Sequence, residues 1–157
     1  AVPLCEWVNR EIAYVNDPNG MEYVARPEET LQTRAGDCED QAILLVNLIL
    51  AIGGYARVVI GFSASGGHAW AEARLGASED ESRRHLDEVR RICRERGTTL
   101  GPLAVAQDRG FHWIVADPTN GPRLGEAGGL VSGGFVRAAA DGFLVFTRPE
   151  ERWIFEP

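Results

Sequence analysis

Three side chains able to carry thiol-based acyl transfer occur in order along the chain: Cys38 in RAGDCEDQAILL, His68 in GGHAW and Asp117 in WIVADPTNG. A thiolate attacks a carbonyl carbon. An imidazole takes the thiol proton and returns it to the leaving group, and a carboxylate orients the imidazole. Cys38 stands where a long apolar run begins, so the dipole and free N–H groups of a helix start would favour its thiolate and could cradle an oxyanion. Asp37, Glu39 and Asp40 oppose that, because negative charge beside a thiol disfavours its ionisation. The nucleophile reading therefore requires an imidazolium partner, and His68 is the candidate.

Taken singly, each residue has a plainer explanation. Cys38 reads as a small buried hydrophobe, His68 as a strand-end surface residue, and Asp117 as a turn former before Pro118. Jointly they favour one site, since all three fall at the ends of elements. His112 is a rival base, but strand alternation turns it to the opposite face from Asp117. His85 reads as solvated, and Cys5 and Cys93 as core residues that could also form one disulfide. Gln32, Tyr23 and Trp7 are candidate second oxyanion donors. Trp70 and Trp113 read either as cleft walls or as core aromatics.

The elements that must position these groups follow from periodicity. Residues 37 to 52 predict the central helix: they contain no internal Gly or Pro, are apolar on nearly all sides, and are closed by Gly53-Gly54, with Asp37 as N-cap and Asp40 available to the capping pattern. Leu4, Trp7, Val8, Ile12 and Val15 have helical spacing, which predicts a helix over 3–15. NDPNG reads as a turn, MEYVA as extended chain and PEETL as a short helical turn. YARVVIGF (55–62) and HAWAEARL (68–75) predict a hairpin, and in the second run His68, Trp70, Glu72 and Arg74 alternate with Ala69, Ala71, Ala73 and Leu75. Residues 79–96 predict a charged amphipathic helix, part of an insertion near 76–110. FHWIVAD (111–117) predicts a third strand, the Gly-rich tract 121–134 a loop, and DGFLVFT and RWIFE closing strands. Helices first and strands later give an α+β class with an antiparallel sheet.

Composition narrows the partners. The chain has 157 residues, 45% of them hydrophobic, which fits one domain over 1–157 with its own core. All 16 cations are arginine and the net charge is −7, so no basic stripe suited to nucleic acid or an anionic membrane exists. The arginines between 83 and 96 interleave with Glu81, Asp87, Glu88 and Glu95 as a solvated helix face. The longest apolar run, 42–52, is too short to span a bilayer, and no signal peptide is visible. The chain begins Ala-Val-Pro, which suggests a processed product or an excised domain, so a soluble cytoplasmic or exported location stays open.

The blocks GDCEDQAILLVNLILAIGGYARVV, GHAWAE and WIVADPTNG, with PEETL upstream, resemble in order and context the signatures of the transglutaminase-like superfamily, over roughly residues 22–122. The resemblance implies a papain-like α+β fold, with Cys38 as nucleophile, His68 as general base and acid, and Asp117 as orienting carboxylate. It implies a cysteine protease or peptidase acting on a peptide or protein substrate. The alternatives are a cross-linking transglutaminase or a non-catalytic binding domain that kept the fold. No cofactor is required. The acid pair flanking Cys38 is similar to that of calcium-dependent bacterial members, which makes calcium near these acids the alternative.

Overall fold

A computed structural model describes residues 1–18, 21–63, 66–97 and 103–126, together with three strands at 136–138, 143–146 and 152–155. Its centre is the predicted helix, α3 (Cys38–Ala51), which begins at Asp37 and reaches its C-cap at Ile52. Gly53 follows with φ +81°, its N–H returns to the Leu50 carbonyl, and the Gly54 N–H returns to that of Ile49, both at 2.9 Å. That pattern is a Schellman motif, which needs a residue without a Cβ at the left-handed position. Ala42, Leu44, Leu45, Val46 and Ile49 are buried along the helix. Burying each leucine side chain stabilises the fold by roughly 1.5–3 kcal/mol.

Two shorter helices lie upstream. α1 (Val2–Glu11) packs Val2, Cys5 and Val8 into the core, and α2 (Pro27–Thr33) starts at a proline suited to a first turn. α1 stops short of the predicted end at residue 15. Residues 13–14 instead form β1 (Ala13–Tyr14), paired in parallel with β2 (Ala35–Gly36), with Ala13 N–H on Arg34 O at 2.8 Å and Val15 N–H on Gly36 O at 3.1 Å. Helical spacing continued through Val15, but a partner strand distant in sequence captured the backbone.

The main sheet has seven strands: β3 (Ala56–Ser63), β4 (Gly66–Gly76), β5 (Leu103–Asp108), β6 (Phe111–Ala116), β7 (Val136–Ala138), β8 (Phe143–Phe146) and β9 (Arg152–Phe155). Their order is β7-β8-β5-β6-β4-β3-β9, antiparallel apart from the parallel β5–β8 pair. β3 and β4 form the predicted hairpin, and β6, β8 and β9 fall where strands were expected. Ala69, Ala71 and Ala73 share the core with α3. Their small side chains let the helix lie close to the sheet. The opposite face of β3 and β4 carries a buried charge network. Arg57 stands opposite Glu72 in register and donates to it at 2.9 and 2.7 Å, reaches Asp108 at 2.6 Å, and lies 3.9 Å over the Trp113 ring.

The segment expected as a helical insertion is helical only in part. α4 (Glu79–Glu95) is capped by Ser78, whose hydroxyl accepts the Glu81 N–H at 3.2 Å, and buries Leu86 and Cys93 beneath an outer face of Arg–Glu pairs. The chain then re-enters the sheet as β5. Arg109 and Gly110, both with positive φ (49° and 82°), close the tight β5–β6 hairpin. All three cysteines are free thiols, so the expected option of a Cys5–Cys93 disulfide is not realised, and both sit in the core. Among the described residues no helix is long and apolar enough to cross a membrane. Most of the Gly-rich tract expected as loop lies outside the described residues.

Candidate active site

α3 delivers Cys38 as its first residue, half-buried at the helix start. The loop before it is held tightly. Asp40 Oδ1 accepts the Ala25 N–H at 2.8 Å. Asp37 occupies the N-cap position, but its side chain makes no capping bond, contrary to expectation. Gly36 is required here, because a Cβ would stand 2.6 Å from that of Asp40. Gln41, buried behind Asp40, donates to Gly36 O at 3.3 Å.

His68 lies near the start of β4 and Asp117 immediately after β6. The imidazole Nε2 meets Asp117 Oδ2 at 2.8 Å, and Cys38 lies close enough to the ring for its charge to raise the His68 pKa. All three predicted residues therefore come together. Trp70, almost wholly buried, stacks against the His68 ring at 6.1 Å and 21°, and its indole N–H donates to Glu72 Oε1 at 3.3 Å. It is a floor to the imidazole, tied into the Arg57 network. Trp113 lies under Arg57 in that network, so both tryptophans are buried side chains.

The two carboxylate oxygens of Asp117 are divided between the turn after β6 and the imidazole. Oδ1 serves the turn, accepting the Thr119 N–H at 3.1 Å and the Thr119 hydroxyl at 2.7 Å; Oδ2 serves His68 and also accepts the Asn120 amide at 2.5 Å. Asn9 of α1 clasps the same turn by donating to Pro118 O at 2.6 Å. Burial alone would raise the Asp117 pKa, yet these bonds and the facing imidazole hold it below the ordinary value. Burial likewise disfavours the imidazolium, but bonds and charges from Asp117 and Cys38 outweigh it and raise the His68 pKa to about 10. Thr119 and Asn120 were not anticipated as site residues, although PTNG itself was the signal.

The other predicted candidates sit elsewhere. Tyr23 gives its hydroxyl to Glu29 at 2.7 Å, Trp7 lies 5.1 Å beneath Arg34, and Gln32 is exposed. His112 lines the cleft between α4 and the β5–β6 hairpin, on the face expected, and exposed His85 turns Nδ1 to the Leu75 carbonyl. The tyrosine nearest this loop in register is Tyr14, whose pKa burial and the charges of Cys38 and Asp37 push up to about 12.

The acids flanking Cys38 form a separate cluster. The thiol donates to Glu39 Oε2 at 3.2 Å. Asp17, Asp37 and Glu39 each offer a carboxylate oxygen within 4.8 Å of the others. Asp37 is buried and its Oδ1 has no hydrogen-bond partner among the described residues. Burial, then a shared hydrogen bond and charge from Glu39, raise the Asp37 pKa to about 7.

Residues 1–118 match the family model of the transglutaminase-like superfamily. The chain belongs to that superfamily. A cysteine protease candidate from Cytophaga hutchinsonii has a similar fold, with 17% identity and a TM-score of 0.50, over 99% of this chain and 39% of that one. Calcium-bound LapG from Legionella pneumophila matches at 26% identity and a TM-score of 0.39, over 45% of each chain. The transglutaminase-like chain thus spans under half the length of either protein. No curated protein is significantly similar to it in sequence.

Proposed function

We propose that this chain is a thiol-dependent acyl-transfer enzyme acting on peptide or side-chain amide bonds, with hydrolysis as the outcome. The observation that carries the reading is the position of His68, bonded through Nε2 to a buried Asp117 and near enough to Cys38 to feel its charge. His68 takes the Cys38 proton as sulfur attacks the amide carbon, then delivers it to the departing nitrogen, leaving a thioester. The same imidazole then activates water, which opens the thioester and regenerates the thiol. Asp117 holds the tautomer and orientation and stays ionised throughout. Family membership supports the reading, in which 1–157 is a single catalytic domain acting on a polypeptide substrate.

No step needs a cofactor. The carboxylates of Asp17, Asp37 and Glu39 nevertheless have the hard-oxygen chemistry that calcium takes, and buried Asp37 Oδ1 has a lone pair to give. An ion held there would offset the negative charge beside Cys38.

The test is turnover of a fluorogenic peptide library by wild type, by Cys38→Ala, and by wild type pre-treated with iodoacetamide. Cleavage that disappears in both treated arms supports the reading; cleavage that survives either one sinks it. Adding a primary amine separates hydrolysis from transfer. Amide product replacing acid would make the enzyme a cross-linker.

A further inference from the structure

A hydrogen bond fixes one atom of a ring, whereas a stacked neighbour holds its plane. Asp117 supplies the first constraint to His68 at Nε2, and the second comes from within its own strand. His68 follows Gly66-Gly67 and stands directly across β3 from Gly61, so neither the chain before it nor its cross-strand partner offers a side chain. Two positions on, along the same face of β4, is Trp70, which stacks on the imidazole. The indole N–H of Trp70 donates to Glu72 Oε1 at 3.3 Å. The other carboxylate oxygen, Oε2, accepts both Nε and Nη2 of Arg57, the residue opposite in β3. Glu72 and Arg57 are both fully buried.

We infer that Glu72 is a positioning residue for this site: through the Trp70 indole N–H it holds the plane of the His68 imidazole, and Arg57 holds Glu72. The inference rests on the reading of His68 as general base and acid. A buried ion pair is a poor source of stability, because stripping water from both charges cancels much of their attraction. Apolar side chains of similar volume would fill the same space at least as well. What they would lack is a hydrogen-bond acceptor at a fixed point beside Trp70. Arg57 also donates to Asp108 of β5 at 2.6 Å and lies over Trp113 of β6. The acceptor is therefore located by four neighbouring strands, β5, β6, β4 and β3, rather than by the rotamer of one side chain. An indole without that bond can tilt, and the imidazole stacked on it tilts too. Such a turn about the Nε2–Oδ2 contact leaves the bond to Asp117 intact. It carries the ring's other nitrogen off the line to an attacking sulfur, and proton transfer depends steeply on that alignment.

The experiment compares two neutral replacements of the pair, Arg57→Met/Glu72→Gln and Arg57→Met/Glu72→Leu, with wild type on the library peptide that it cleaves fastest. Both remove the two buried charges together, so neither leaves one alone. Glutamine keeps an acceptor for the Trp70 N–H, and leucine does not. The leucine double variant should lose about tenfold in kcat at unchanged KM, while the glutamine one stays within about twofold of wild type. Thermal melts should rank the two the other way, because a buried amide NH₂ without a partner is destabilising. Equal kcat in the two, or kcat that falls in step with Tm, overturns the inference. Trp70→Phe keeps an aromatic floor and removes the N–H from an otherwise native network, so it should show a kcat loss of the same size. Unchanged kcat there overturns the inference as well. Wild-type turnover no faster than that of Cys38→Ala would overturn the proposed function itself, and that arm is read first.

Discussion

Two aspartates, one beside Cys38 and one bonded to His68, are both almost wholly buried, and they titrate in opposite directions. Asp117, fully buried, is held below its ordinary pKa; Asp37, 8% exposed, is raised to about 7. Burial therefore does not decide the charge. Donors do. Asp117 accepts from His68, Asn120 and twice from Thr119, and hydrogen bonds to the charged form favour it. Asp37 faces Glu39, Asp40 and Asp17, and one of its oxygens has no partner among the described residues. One carboxylate is built to remain an anion that orients a histidine. The other is the weak point of an otherwise well-bonded loop, next in sequence to Cys38.

The strongest way to break the contrast is Asp117→Asn. Shape is kept and charge removed, so His68 loses both its orienter and the partner that sustains its proton. We expect kcat to fall by roughly 10³–10⁴-fold. A raised histidine pKa contributes stability that is fully present below the unfolded value and is lost as pH rises through the folded one, here about 10. The alkaline limb of kcat/KM and the alkaline loss of stability should both move down toward the ordinary histidine range. A pH–rate profile whose limb stays in place would mean that the turn does not set the imidazole's charge.

Asp37→Asn acts on the other side, with the opposite sign. A carboxylate whose folded pKa is raised binds its proton more tightly in the native state, so stability falls as pH climbs from about 4 toward about 7 and is level beyond. The asparagine variant should lack that slope. At pH 8 it should be more stable by roughly 1 kcal/mol after allowing for solvent screening, or about 2–4 °C in Tm. Thermal melts across pH 4–8 measure both. A wild-type slope retained in the variant would place the titration on another group.

These two aspartates also mark where sequence was informative. Asp117 was legible because WIVAD ends a strand and DPTN is local turn chemistry; its second role, toward His68, needed only the coincidence of three element ends. Cys38 was legible because a long apolar run closed by Gly53-Gly54 has few readings besides a central helix. What escaped notice depended on pairing between distant segments. Tyr14 fell inside a helical pattern that continued through Val15, and only its pairing with Gly36 drew it to the loop that carries Cys38. Arg57 looked like an ordinary alternating residue until the β3–β4 register set it opposite Glu72. β5 hid within a stretch dominated by its charged neighbour α4. Asp37 has the right residue type for an N-cap, but its carboxylate is drawn into the acid cluster, and no local rule signals that competition.

The smallest effect sharpens the comparison at the sulfur itself. Glu39 accepts the thiol proton at 3.2 Å, which sets its carboxylate against the sulfur. Glu39→Gln removes that charge and keeps a side chain of the same length. At pH 6 we expect iodoacetamide to modify Cys38 about two- to fivefold faster, the scale of one like charge near a partly solvated site. Glu39 also helps to hold the proton on Asp37, so the same variant should bring the Asp37 pKa down from about 7 and flatten the slope of stability between about pH 4 and 7. A rate unchanged at pH 6 would mean that the Glu39 charge does not reach the sulfur, leaving the acids to act only on the loop that carries it.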